Sequence, residues 1–290
     1  IDMTEFINGD NEVLFFDSRS KRSSGLAGIQ NDKSYIQSVK AFPKNIEIRT
    51  VKTYSRGGGG APGVPGLQLQ LGGSGAPVTL ELNTSMVLLP EKPMQARYYD
   101  DRVGYFTSQS ITDFDLNPQG IETVRLIKRF RLEPKPEDME KYKRGELVEP
   151  ANPLIYYIDP TTPKKWVPYL IQGVNDWQVA FEKAGFKNAI IGKEAPVNDS
   201  TWSLEDARHN AIVYKPSTIA NASGPSVLDP RSGEIIETHI NWYHNVMSLL
   251  RNWYMVQTAA VDPEARKMVF DDKLMGELIR FVSSHEVGHT

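Results

Sequence analysis

The stretch Asp272-Lys-Leu-Met-Gly-Glu-Leu-Ile-Arg-Phe-Val-Ser-Ser-His-Glu-Val-Gly-His-Thr290 decides how this chain is read. Leu274, Met275, Leu278, Ile279 and Val282 recur at spacings of three and four, the apolar stripe of a helix packed on a core. Asp271 or Asp272 stands where an N-cap belongs. On such a helix His285 and His289 are separated by about 40° of rotation and roughly 6 Å of rise, so both imidazoles leave one face and can bind one metal ion. Glu286, beside the first histidine, is placed to act as a general base in metal-assisted hydrolysis without being a ligand. With five histidines in 290 residues, a chance H-E-x-x-H has a probability of roughly half a percent. The pattern therefore predicts a metal site with His285 and His289 as ligands and Zn²⁺ as the ion.

A tetrahedral catalytic zinc takes three protein ligands and keeps one position open, and this pair supplies two. No other histidine has a compelling spacing. His239 and His244 are five apart and suit neither one helix face nor one strand face, so polar residues at a strand end are expected there. The same reading holds for His209 after Arg208.

Gly276-Glu-Leu-Ile-Arg-Phe-Val-Ser-Ser-His-Glu-Val-Gly-His-Thr290 resembles the bacterial zinc-dependent metalloproteases common in Bacteroidetes, with the metzincin-like active site H-E-x-x-H-x-x-G-x-x-H. Glu205-Asp-Ala-Arg-His-Asn-Ala211, Asp229-Pro-Arg-Ser-Gly-Glu-Ile-Ile236, Trp242-Tyr-His-Asn-Val246, Arg102-Val-Gly-Tyr-Phe106 and Lys128-Arg-Phe-Arg-Leu132 agree with it too. The resemblance implies a third zinc-binding histidine six residues beyond His289 and a methionine-bearing turn under the metal. The sequence stops at Thr290, before either, so weak zinc binding and poor turnover are expected of these 290 residues alone. The resemblance further implies an extracytoplasmic location, whether periplasmic, outer-surface or secreted. It also implies an edge strand that pairs with extended substrate. Ser223-Gly-Pro-Ser-Val-Leu228 is the matching stretch, with Gly224, Ser226 and Val227 as candidate substrate-binding residues.

Composition narrows the remaining classes. The chain is long enough for two cores. A formal net charge of −3 and a pI near 6.0 give no electrostatic footprint for nucleic acid. The absence of cysteine excludes disulfides and thiolate ligands. No apolar run approaches the length of a membrane span. The opening Ile1-Asp2-Met3-Thr4 lacks a charged-then-apolar leader, which is compatible with a signal peptide removed or left out. Oligomeric state leaves no mark in the sequence.

Strand signals dominate the first part: Glu12–Asp17, Tyr35–Lys40, Asn45–Val51, Leu67–Leu71 and Val78–Leu82 mix β-branched, aromatic and alternating apolar residues and suggest antiparallel hairpins. Gly57–Gly66 reads as a loop. It lacks the Lys-Ser/Thr ending of a phosphate-binding loop and does not open a helix. Charge together with Pro134 and Pro136 places a boundary within residues 133–152, giving a β-rich accessory domain, residues 1–140, and a catalytic domain, residues 141–290. In the second, strands are expected at Leu154–Ile158, Ala189–Ile191, Ala211–Tyr214 and Glu234–Ile240, with one helix over Trp166–Lys183 ended by Ala184-Gly185 and another over Val246–Ala260. The fold class is α+β: an antiparallel N-terminal domain, then the upper part of a metzincin-like domain with a mixed sheet above the active-site helix. The expected function is a zinc-dependent endopeptidase acting on peptide or protein substrates. The alternative is a non-catalytic cell-surface binding or scaffold protein with a degenerate zincin-like domain.

Overall fold

A computed structural model describes residues 2–56, 76–108, 111–113 and 117–290. The loop expected at Gly57–Gly66 and the strand expected at Leu67–Leu71 lie outside the described residues. The chain forms two compact units, Ile1–Leu88 and Leu89–Thr290. Residues 89–140, counted with the N-terminal domain on sequence grounds, belong to the second unit in this division.

The first unit carries two short helices, α1 (Thr4–Asn8) and α2 (Ser18–Ser23), and four strands: β1 (Leu26–Ile29), β2 (Tyr35–Ala41), β3 (Asn45–Arg56) and β4 (Val78–Val87). The sheet is antiparallel and built on β3, which pairs β4 along one edge and both β1 and β2 along the other. Leu26, Tyr54 and Val78 form its small core, with Phe16, Ile29 and Leu80 packed on it. Lys52 is fully buried in β3 and donates to the carbonyls of Ile7, Asn8 and Gly9 at 2.7, 2.7 and 3.1 Å. Its ammonium also lies 4.4 Å from the centroid of the Phe15 ring. A buried ammonium is tolerated where carbonyls replace its water, and here it satisfies the end of α1.

The strand expected at Glu12–Asp17 is instead a run of turns. Local polar side chains outcompete the apolar Val-Leu-Phe-Phe pattern. Asn11 Oδ1 accepts from the Leu14 amide at 2.9 Å, Glu12 accepts from the Ser18 amide at 3.0 Å, and Asp17 caps α2 through the Ser20 amide at 2.6 Å.

The second unit opens with a small hairpin of β5 (Ile111–Asp113) and β6 (Glu122–Val124), followed by α3 (Met139–Lys143). Its main sheet comprises β7 (Leu154–Ile158), β8 (Ile190–Glu194), β9 (Asn210–Lys215), β10 (Ala222–Ser223), β11 (Ser226–Asp229) and β12 (Glu234–Tyr243). The spatial order is β8-β7-β9-β12, all parallel, with β10 and β11 both antiparallel on the outer edge of β12. The fold class is thus as the sequence implies: antiparallel sheet first, then a mixed sheet with helices.

The helices of this unit are α4 (Val167–Asn175), α5 (Gln178–Lys183), α6 (Val246–Thr258) and α7 (Asp272–Gly288). The single helix expected over Trp166–Lys183 is two, broken at Asp176–Trp177. Both residues at the break are committed to α7: Trp177 Nε1 donates to the Ser284 carbonyl at 2.7 Å, and Asp176 receives a two-pronged ion pair from Arg280 at 2.8 and 2.6 Å. Leu170, Val174, Ile212, Ile240, Trp242 and Ile279 lie at the centre of the core between sheet and helices.

The α4–α7 contact positions the last turns of α7. Asp271 caps α7 by accepting from the Leu274 amide at 2.9 Å. Ser283 Oγ, fully buried, donates to the Leu170 carbonyl of α4 at 3.0 Å. The backbones approach closely because Gly173 lacks a side chain: a Cβ there would stand 2.6 Å from both the Arg280 carbonyl oxygen and Ser283 Cβ. The apolar stripe, the cap, the ion pair and this close approach together fix where the last turn of α7 points.

Candidate metal and substrate site

The last turn of α7 brings His285 and His289 together on one side. Their rings meet edge to face with centroids 4.4 Å apart, and the two Nε2 atoms are 2.8 Å from each other. His289 is the C-cap residue of α7 and keeps helical backbone angles, φ −81° and ψ −10°. Burial lowers the pKa of His289, and the neighbouring His285 and Lys128 push the same way, which favours the neutral ring that a metal requires.

The donor chemistry of this pair fits zinc. Two imidazole nitrogens at ~2.0–2.1 Å from one tetrahedral zinc stand about 3.3 Å apart, so an opening of about half an ångström converts the contact into a ligand pair. Among the described residues no group of three His, Cys, Asp or Glu side chains could hold a metal. His285 and His289 thus stand as a pair among the described residues, with no third such side chain beside them.

Glu286 sits one position after His285 and is largely buried. Burial raises its pKa above the ordinary glutamate value, opposed in part by the charge of His285. A carboxylate held in this way takes up a proton more readily than an exposed one.

Around the pair, the structure assembles residues far apart in sequence. Phe106 lies edge-on to His289 with centroids 4.8 Å apart, and Lys128 Nζ is 5.2 Å from the Phe106 ring centroid. The Lys128 amide donates to the Phe106 carbonyl at 3.0 Å, so the two residues come as one piece. That piece is tied to β12 through the Arg129 and Ile235 backbones and by the two-pronged Arg131–Glu234 pair at 2.8 and 2.6 Å. Tyr156, fully buried in β7, shares a 2.5 Å hydrogen bond with Thr290 Oγ1. Burial pushes the Tyr156 phenol well above its usual pKa.

The sequence reading did not assign Phe106 or Lys128 to the site. Their only signal was membership of Arg102–Phe106 and Lys128–Leu132, two stretches that carry the resemblance.

The candidate edge strand runs beside this end of α7. A methyl group added to Gly224 would stand 3.1 Å from Thr290 Cγ2 and 3.6 Å from the Glu286 carbonyl oxygen, so the bend between β10 and β11 touches the helix terminus. Ser226 pairs with Thr238 of β12 and Val227 with Glu237. Ser226 Oγ is buried without a hydrogen-bond partner among the described residues, while Val227 is exposed.

The remaining histidines serve elsewhere. His239 Nε2 is 2.8 Å from Glu237 and 3.2 Å from the His209 carbonyl. His244 bonds the Tyr214 hydroxyl, and His209 stacks on Trp202 while its Nδ1 lies 3.0 Å from the Ser203 carbonyl. None of the three joins the His285–His289 pair.

Two families resemble parts of the chain. Residues 267–290, the end of the preceding loop and all of α7, match a family model described as Met-zincin. Residues 1–135 match a model described as a domain of unknown function, DUF5117. No curated protein and no solved structure matches the chain. The Met-zincin similarity points to a metzincin-like region and to a zinc metalloprotease type of function at the end of α7. No helix among the described residues is long and apolar enough to cross a membrane.

Proposed function

We propose that this chain belongs to a zinc-dependent endopeptidase of metzincin-like type, with His285 and His289 as two of its zinc ligands and Glu286 as its general base. The observation that carries the reading is the convergence of the two Nε2 atoms at 2.8 Å on the last turn of α7, directly beside the buried Glu286. When bound, zinc supplies Lewis-acid polarisation of the scissile carbonyl and lowers the pKa of the attacking water. A Glu286 carboxylate oxygen accepts the proton lost by the attacking water and then delivers it to the leaving amine. The tight α4–α7 contact orients both histidines, which limits the reorganisation needed for reaction.

Extended substrate would add to the open edge of β11, with main-chain hydrogen bonds giving affinity. Gly224 would hold this strand against Thr290 and the end of α7, and Ser226 and Val227 would lie along the substrate. The resemblance supports an extracytoplasmic setting for this activity.

The test compares three proteins: the 290-residue chain, the same chain extended to supply a histidine six residues beyond His289, and the extended chain carrying Glu286→Ala. Metal stoichiometry and peptide hydrolysis are read for each. The extended chain should bind one zinc and cleave peptides, the shorter one should do both poorly, and Glu286→Ala should keep zinc and lose turnover. An extended chain that binds zinc but never cleaves would favour the non-catalytic binding protein. Undiminished turnover by Glu286→Ala would show that the base is misassigned.

A further inference from the structure

Beside His289 the second unit holds a cavity of about 350 Å³. Much of its lining is aromatic or aliphatic, including Phe106, Phe130, Tyr156 and Trp177, yet three cations, Arg97, Lys128 and Arg129, also face it, and no Asp or Glu side chain among the described residues lines it. Arg129 Nη2 is spent on the Gln95 carbonyl at 2.6 Å, while Nη1 is buried without a hydrogen-bond partner among the described residues. Arg97 and Arg129 repel each other, and burial disfavours the charge on both Lys128 and Arg129. Glu234, whose charge partly offsets that of Arg129, already accepts both prongs of Arg131.

Cations gathered in an apolar hollow without a counter-ion are costly unless something anionic enters. A planar guanidinium with a free nitrogen matches a carboxylate, and the aromatic walls suit an apolar stem behind it. We propose that this cavity is a subsite for a carboxylate carried on an apolar stem, held by Arg97, Lys128 and Arg129 next to His289. On the peptidase reading, on which the substrate class rests, the cavity selects peptides that place an acidic side chain or their own C-terminal carboxylate beside the metal ligands. The cations attract the carboxylate and the aromatic walls shed water around its stem. Neutral peptides gain only the second contribution.

The experiment measures direct binding to the chain extended beyond Thr290, so that no terminal carboxylate competes at the cavity, and a chelator is present so that neither zinc nor turnover enters the readout. Three dye-labelled pentapeptides of one parent sequence are titrated by fluorescence anisotropy. The first has a Glu side chain and an amidated C-terminus, the second a Gln and a free C-terminus, and the third a Gln and an amidated C-terminus. At least one charged peptide should bind ten-fold or more tightly than the neutral third. A preference for the first identifies the side chain as the source of the carboxylate, and a preference for the second identifies the terminus.

Arg97→Gln, at an exposed position, and Lys128→Gln should each erase most of that preference, read as the ratio of charged-peptide to neutral-peptide affinity within each variant. Thermal melts confirm that both variants are folded. Equal binding of all three peptides overturns the subsite, as does a preference that survives in both variants. Cleavage of peptides without charge preference would sink the subsite alone. Charge preference without cleavage by the extended, zinc-loaded chain would sink the peptidase reading and leave the carboxylate site standing.

Discussion

Replacing Gly173 or Gly276 by alanine makes the same chemical change on the two sides of the α4–α7 contact, yet the structure assigns the two different outcomes. In a helix interior, Gly→Ala alone stabilises by about 1 kcal/mol. At Gly173 the new Cβ meets the Arg280 carbonyl and Ser283 Cβ, both at 2.6 Å, and these are backbone and a side-chain root that cannot swing away. The helices must separate, at about 1–3 kcal/mol for overpacking. The Ser283–Leu170 hydrogen bond at 3.0 Å is then stretched, worth about 1 kcal/mol more. Set against the propensity gain, Gly173→Ala should destabilise by about 1–3 kcal/mol. At Gly276 the obstacle is the Tyr169 ring, 2.2 Å from the new Cβ. Tyr169 is only partly buried and its ring is the far end of a rotatable side chain, so turning it aside costs about 0.5–1.5 kcal/mol and Gly276→Ala should be close to neutral. Urea unfolding followed by tryptophan fluorescence reads both values. The first variant should also weaken zinc binding, because the displaced segment from Arg280 to Ser283 leads directly into His285. A Gly173→Ala protein as stable as the parent, or one in which Gly276→Ala is the more damaging change, would refute the packing argument.

His285→Ala and His289→Ala should each lower zinc affinity by at least ten-fold in calorimetric titration of the extended chain, since a single imidazole then remains on α7. Lys52→Met should destabilise the first unit by about 2–4 kcal/mol in denaturant unfolding, because the carbonyls of Ile7, Asn8 and Gly9 lose their donor. Acid sensitivity follows from Asp206 and Asp229, whose carboxylates are held below the ordinary value of 3.8 chiefly by the guanidinium groups of Arg208 and Arg231. A depressed folded pKa contributes stability that is present above the unfolded value and lost as pH falls through the lower folded one. The second unit should therefore lose stability below about pH 4, and Asp229→Asn should flatten that part of the acid-unfolding curve measured by circular dichroism.

What was legible in the sequence is what local spacing determines. The apolar stripe of α7, its Asp271 cap and the convergence of two imidazoles four residues apart need only helix geometry. The strands β7, β9 and β12 are likewise recognisable from short β-branched and aromatic runs. The break between α4 and α5 was not, because Val167, Leu170, Val174, Trp177 and Phe181 keep helical spacing straight through it. What ends α4 is the demand placed on Asp176 and Trp177 by Arg280 and Ser284, more than a hundred residues away. Phe106 and Lys128 were missed for the same reason: nothing near them in sequence says that their fold partner is His289.

A recurrent local device explains why some of the irregular segments hold firm. Asp206-Ala-Arg208 and Asp229-Pro-Arg231 share one geometry, in which the aspartate accepts from the arginine amide two residues on, at 3.0 and 2.9 Å, and also from the same arginine's guanidinium. Both aspartates are fully buried while their arginines stay partly exposed, so each turn is closed by a charge-assisted clasp anchored on its buried carboxylate. The first clasp precedes β9 and the second joins β11 to β12, which fixes the strand bordering the end of α7. Arg231 also reaches the Pro90 carbonyl at 2.6 Å, and Arg131 reaches that of Lys92 at 2.9 Å. The arginines thus tie the segment that begins at Leu89 to the sheet, and this is the segment that delivers Arg97 and Phe106 to the cavity beside His289. Loss of the second clasp should therefore be felt in carboxylate binding as well as in acid stability, although Asp229 touches neither the histidines nor the cavity.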